Sequence, residues 1–154
     1  MAKQSEGGIK LIATNRKAYH EYHIEDTIEA GIALVGSEVK SVAAGKVSLT
    51  DAYCRVENGE MWVHNMHIAP YEPAARFGHE PRRKRKLLLH KWEIERLGSK
   101  AEQKGYTLIP LRLYFRNGKA KLEIGLARGK RKYDKREAIR QRDIERELRR
   151  ELRS

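Results

Sequence analysis

The chain has 154 residues, 33 Lys+Arg against 21 Asp+Glu, and a formal net charge of +12. That length fits one domain, and 40% hydrophobic residues can build one modest core, while 35% charged residues exceeds the usual ~25% and requires extensive solvated surface. There is no run of about 18 apolar residues, which excludes a transmembrane helix, and the polar start from Met1 to Gly8 has no apolar stretch after it, so no secretory signal is read.

Residues 1–8 read as a disordered leader. His20-Glu21-Tyr22-His23-Ile24 has the alternation of a half-buried strand, and Gly31 suits a bulge or bend. Ser37 to Gly45 reads as a short helix, with Ser37 able to cap its start and Gly45 able to close its end. Ala52–Glu57 and Glu60–Val63 flank Asn58-Gly59, and Thr107–Arg116 and Lys119–Ala127 flank Asn117-Gly118. Asn-Gly tolerates the positive φ at both central positions of a type I′ turn, so two hairpins are predicted. Leu88 to Lys104 reads as a helix with apolar contacts from Leu89, Trp92, Ile94 and Leu97, broken or bent at Gly98. Pro110 lies inside a strand pattern and marks an edge or a bulge. Five to seven short strands and two or three helices predict a mainly β fold: a small antiparallel oligonucleotide-binding-like barrel with short flanking helices. A two-layer α+β sandwich is the competing architecture. The organisation expected is a leader, a barrel over residues 9–128 and a basic tail over 129–154.

The positive charge is concentrated. Residues 129–154 hold 11 basic and 6 acidic residues, a surplus of +5. Arg82-Arg83-Lys84-Arg85-Lys86 is a second run, of five consecutive cations. Like charges in a row repel unless solvated or matched by phosphates, and two such clusters on one small body point to RNA or DNA. In the tail Ile144, Leu148 and Leu152 recur every fourth residue, a stripe too thin to fold alone; the tail is read as disordered when free and helical when bound.

Catalytic signals are weak. His64 with His67, and His20 with His23, have a three-residue spacing but no cysteine or acidic cluster to complete a metal site. Gly125 to Lys130 has glycines and a lysine as a phosphate loop does, but with three intervening residues instead of four and Arg131 where Ser or Thr would hold magnesium. Cys54 is single, which fits a reducing cytosol, and inside a strand it reads as a small core residue. No catalytic residue, metal or cofactor is expected, and the chain is read as a binding protein and not an enzyme.

A family resemblance sharpens this. Asn15-Arg16-Lys17-Ala18 with His20 and Tyr22, Gly36-Ser37-Glu38-Val39-Lys40-Ser41, Gly45-Lys46-Val47, His67-Ile68-Ala69-Pro70-Tyr71, Arg83 to His90, Pro110-Leu111, Tyr114-Phe115 and Ala127 to Arg136 resemble, in order, the small protein B (SmpB) family of bacterial SsrA-binding proteins. The resemblance implies a cytoplasmic, monomeric protein with an oligonucleotide-binding-like barrel and a basic tail. Such a protein binds the tRNA-like domain of transfer-messenger RNA (tmRNA) and carries it to stalled ribosomes, where it stands in for the missing anticodon arm in trans-translation. Elongation factor Tu would be met indirectly, through alanyl-tmRNA. It further implies a tmRNA surface of Asn15, Arg16, Lys17, His20, Tyr22, Glu38 and Lys40. A ribosome-binding tail segment, Gly129, Lys130, Arg131, Lys132, Tyr133, Asp134, Lys135 and Arg136, would engage the small-subunit decoding region and the empty mRNA channel. Arg82, Arg83, Lys84, Arg85 and Lys86 are candidate further phosphate contacts. Two positions depart from the family pattern: Ala43 stands where Arg is frequent, and Tyr133 where some members have His. The alternatives are a generic single-stranded RNA-binding module or a ribosome accessory protein.

Overall fold

The computed structural model describes residues 8–71 and 79–129. The expectations for the leader up to residue 7 and for the tail beyond Gly129 lie outside the described residues. In chain order the elements are β1 (Ile9–Thr14), α1 (Arg16–Glu21), β2 (Tyr22–Ile32), α2 (Gly36–Ala43), β3 (Val47–Ser48), β4 (Tyr53–Glu57), β5 (Glu60–His64), β6 (His67–Ile68), β7 (Arg85–Leu88), α3 (Lys91–Ala101), β8 (Tyr106–Arg116) and β9 (Lys119–Gly129).

The main sheet is antiparallel and closes on itself. Its order β8-β4-β5-β7-β2-β9 returns to β8 through the β8–β9 hairpin, and β1 pairs with the far half of β8. The barrel is therefore six strands round, and a short β3–β6 ribbon lies outside it. Closure removes the open sheet edges that a small β protein must otherwise protect. Both Asn-Gly turns form as read: Asn58 and Gly59 have φ of 53° and 77°, and Asn117 and Gly118 have 51° and 77°. The register slips between Pro110 and Arg112, so the proline sits at a bulge. That slip also sorts side chains: Leu108 and Leu113 enter the main core, while Ile109 and Leu111 join Ala18 and Ala127 in a satellite core under α1.

Several readings change. Residues 20 and 21 belong to α1 and the strand starts at Tyr22, so His20 and Tyr22 do not share a strand face. Gly31 lies within a continuous β2 whose bulge falls between Ile24 and Asp26; a Cβ at Gly31 would stand 3.2 Å from the Leu88 Cβ, so this glycine permits close strand approach. Gly98 likewise does not break α3. It lies inside the helix, and a Cβ there would be 3.1 Å from Val56 Cγ2. The helix starts only at Lys91, because Leu87 and Leu88 belong to β7. Trp92 is 61% exposed and supplies no core contact, unlike Ile94 and Leu97. Cys54 is buried in the core, and burial raises its thiol pKa, so it stays protonated. Gly125 is in mid-strand, paired with Thr27 and Ile109, and not in a loop. Among the described residues no helix is long and apolar enough to cross a membrane.

Candidate nucleic-acid interface

Helix α1 is only six residues long, too short to be stable through its own hydrogen bonds. Asn15 holds it in place. Its Oδ1 accepts from the Ala18 N–H at 3.1 Å, and its Nδ2 donates to Leu49 O at 3.2 Å and Pro110 O at 2.9 Å. Its backbone N–H adds a bond to Leu111 O at 2.8 Å. Every polar atom of this side chain is used within the protein and the residue is 3% exposed; Asn15 thus offers no surface to a ligand. Ala18 faces inward, and Arg16, Lys17, Tyr19 and His20 face solvent. Lys17 Nζ lies 2.7 Å from Asp51 Oδ1, both side chains well exposed. Tyr22 is half-buried against the satellite core.

Helix α2 is placed by a second buried polar residue, Glu38, which has no exposed surface. Its Oε1 accepts from the Val35 N–H at 2.9 Å, reaching back to the start of its own helix, so Ser37 is not the cap. Ser37 Oγ instead meets His79 Nδ1 at 2.8 Å, while His79 Nε2 meets Ile68 O at 2.9 Å. The C-terminus closes as read: Gly45 has φ +77°, and the bonds Gly45 N to Val42 O and Lys46 N to Ser41 O are both 2.9 Å, the pairing of a Schellman motif. Lys40 points outward, its Nζ 5.4 Å from the Tyr71 ring centre. Ala43 is exposed and has no side chain to offer a phosphate.

Glu38 and the basic run 82–86 are one network. Arg83 donates to Glu38 from Nε at 3.0 Å and from Nη2 at 2.6 Å, and Arg85 Nε donates at 2.6 Å. Arg85 is fully buried, and all five of its N–H groups have acceptors. Besides Glu38 these are the carbonyls of Met66 at 2.7 Å, Arg83 and Pro81 at 3.1 Å and Glu80 at 3.5 Å. Burial alone would raise the Glu38 carboxyl pKa; the bonds from Arg83, Val35 and Arg85 outweigh it and hold the carboxyl below its ordinary value. The expectation that all five cations offer themselves to phosphates is therefore corrected. Arg85 is interior, and Arg83 is committed to Glu38. Arg82, Lys84 and Lys86 remain on the surface, bonded to Asn65, Glu57 and Glu60 respectively.

Of the seven residues expected on one surface, Arg16, Lys17, His20 and Lys40 are exposed, Tyr22 is half-buried at the start of β2, and Asn15 and Glu38 are interior anchors of the two helices that carry the four exposed ones. Tyr19, 44% exposed on the same short helix, was not among the residues expected on this surface; a helical reading of 16–21 would have placed its ring there. Gly129 ends β9 opposite Tyr22, so the barrel runs one residue further than expected, and positions 130–136 lie outside the described residues. Among the described residues no three His, Cys, Asp or Glu side chains converge as metal ligands. His64 Nε2 instead lies 2.7 Å from Glu57 Oε2.

A closed antiparallel barrel with short cation-bearing helices on its outside defines a small oligonucleotide-binding-type module. The family model described as SmpB protein matches residues 12–154. The chain is 59% identical over 145 residues to the SsrA-binding protein of Carboxydothermus hydrogenoformans, covering 94% of this chain and 97% of that one. It is 59% identical over 150 residues to the SsrA-binding protein of Caldicellulosiruptor bescii (97% and 95%) and 53% identical over 148 residues to that of Bacillus cytotoxicus (96% of each). A chain of the solved structure described as "tmRNA-SmpB: a journey to the center of the bacterial ribosome" matches with a TM-score of 0.69 and 53% identity, over 85% of this chain and 96% of that one. The chain belongs to the SmpB family.

Proposed function

We propose that this protein binds tmRNA and brings it to stalled ribosomes for trans-translation. The near-full-length identity to SsrA-binding proteins carries the reading, and the exposed cations on α1 and α2 agree with it. Arg16, Lys17, His20 and Lys40, with Tyr22 at the margin, form the tmRNA surface, and Asn15 and Glu38 position it. Gly129 to Arg136 engages the small-subunit decoding region and the tail enters the empty mRNA channel. The protein acts by binding and not by catalysis, as a cytoplasmic monomer, and meets elongation factor Tu only through alanyl-tmRNA. Sequencing the RNA that co-purifies with the protein tests this: one dominant structured species supports it, and a broad transcript mixture favours a generic single-stranded RNA-binding module. Truncation after Gly129 separates the two surfaces, with tmRNA binding retained and tagging abolished.

A further inference from the structure

The run Arg82–Lys86 divides by strand alternation. Arg83 and Arg85 turn inward onto Glu38, so Lys84 and Lys86 turn outward, over the outer face of β5. The β4–β5–β7 register places Arg55 opposite Trp62 and Trp62 opposite Lys86, giving a row that reads cation, indole, cation across three strands. Two residues along β5, a distance of ~6.6 Å, Tyr53 lies opposite His64. Their rings are stacked with centroids 5.1 Å apart and planes 6° from parallel. Lys84, just before β7, bridges the rows, its Nζ 4.5 Å from the Trp62 ring centre. The result is a column of aromatic rings bordered by Arg55 on one side and Lys84 and Lys86 on the other.

We propose that this outer face of β4, β5 and β7 is a second RNA-binding surface, which takes single-stranded RNA with bases on Tyr53, His64 and Trp62 and phosphates on Arg55, Lys84 and Lys86. Stacking platforms beside cations are how small barrels hold single strands. Tyr53 also borders the depression beneath α1, together with Asn15, Lys17 and Tyr22, so the face continues the α1 surface. Two carboxylates share the face: Glu57 contacts His64, Lys84 and, at 3.9 Å, Arg55, and Glu60 contacts Lys86. The cation side chains here are 43–62% exposed; the Lys86–Glu60 pair, 43% exposed on both sides, is of the weak kind that a phosphate can replace, whereas Glu57, 23% exposed and paired with His64 as well as Lys84, yields its lysine only to a closely placed phosphate. Lys84 Nζ stands over the Trp62 ring, so a phosphate that draws it outward also bares that ring for a base.

The inference rests on the protein being an RNA-binding protein, but not on which RNA it carries. Trp62 and Trp92 are the two tryptophans, and Trp92→Phe makes Trp62 the sole tryptophan, which is excited selectively at the red edge of the absorption band, where the tyrosines do not absorb. Titrating the full-length Trp92→Phe protein with an eight-nucleotide oligouridylate is expected to quench Trp62. Arg55→Ala with Lys84→Ala in the same background is expected to weaken oligouridylate binding at least tenfold and to flatten its salt dependence, with circular dichroism unchanged. Arg16→Ala, on α1, lowers affinity for the tRNA-like domain of tmRNA and leaves the quench in place. Absence of quenching at saturating oligonucleotide, or equal affinity in the Arg55/Lys84 variant, overturns the second surface. Insensitivity of tmRNA binding to Arg16→Ala would instead count against the α1 surface and leave this one standing. Should the double variant lose ellipticity, Lys86→Ala alone decides: an unchanged oligouridylate affinity refutes the proposal, and a several-fold loss supports it.

Discussion

Glu38 sets the stability of the side of the barrel that carries α2. Replacing it with Ala leaves Arg85, which has no exposed surface, as a buried charge without a counterion. Removing one partner of a buried pair costs about 3–5 kcal/mol, against a total of about 5–15 kcal/mol for a domain. For a domain of this size each kcal/mol lowers Tm by roughly 3–5 °C, so Glu38→Ala should melt about 10–20 °C lower in calorimetry or circular dichroism. Glu38→Leu combined with Arg85→Met removes both charges and should recover part of the loss. Recovery stays incomplete because Met66 O and Pro81 O lose the donors that Arg85 supplied. Acid adds an independent check. The folded-state carboxyl of Glu38 titrates below its ordinary value, so between the two values the unfolded chain binds more protons. Its contribution is complete above the unfolded value of about 4.3 and disappears as the pH falls through the folded one. Urea midpoints should therefore drop more steeply below pH 4.3 in the native protein than in Glu38→Gln. A melting loss under about 3 °C for Glu38→Ala, or a double variant no more stable than the single one, would refute the argument that Arg85 is held by Glu38.

Asn15→Ala removes the α1 cap and the Nδ2 donor of Pro110 O, while Leu49 O keeps its bond from the Ala52 N–H; a loss of about 2–4 kcal/mol in urea unfolding is expected, and Asn15→Asp should do no better because it turns a carboxylate toward two carbonyls. Gly125→Ala places a Cβ 2.7 Å from Leu111 Cδ1 and 3.2 Å from Ile24 Cγ2, which should cost about 1–3 kcal/mol by overpacking. Gly36→Ala, with nothing within 4 Å of the new atom, should be neutral or stabilise by up to about 1 kcal/mol; equal stability of the two alanine variants would contradict the packing account.

What could be read from the sequence was what is decided locally. The Asn-Gly turns, the Gly45 helix end and the Pro110 bulge are each set by the backbone preferences of one or two residues, and each formed as read. Helix α1 was misread because His20, Tyr22 and Ile24 alternate as a strand does. What makes residues 16–21 helical is tertiary: Asn15 is fastened to carbonyls 34 and 95 residues away. The basic run 82–86 was read as five candidate phosphate contacts because consecutive charge suggests exposure. Its partner Glu38 lies 45 and 47 residues earlier, and nothing near either segment announces the pairing. Gly31 and Gly98 were read as interruptions, where their lack of a Cβ serves close packing within unbroken elements.

Asn15 and Glu38, both buried, change how a loss of RNA binding should be interpreted. Each cation-bearing helix stands on one of them: Arg16 and Lys17 follow directly on Asn15, and Lys40 is two residues beyond Glu38. A variant at Asn15 or Glu38 can therefore bind tmRNA poorly without having lost any contact to it, because the helix that presents the cations is displaced. Affinity alone does not separate the two cases, but its salt dependence does. Each phosphate neutralised contributes about −0.7 to −0.9 to the slope of log K against log salt. On the proposed α1 surface Arg16 is one of the phosphate contacts, so Arg16→Ala should make the slope shallower by about one such unit. Asn15→Ala lowers the fraction of molecules with α1 docked, which scales affinity at every salt concentration alike while the docked fraction keeps its full set of cations. Its slope should equal that of the unaltered protein. If Asn15→Ala flattens the slope as Arg16→Ala does, α1 does more than present its cations from an Asn15 anchor, and the division into anchors and contacts fails at that residue.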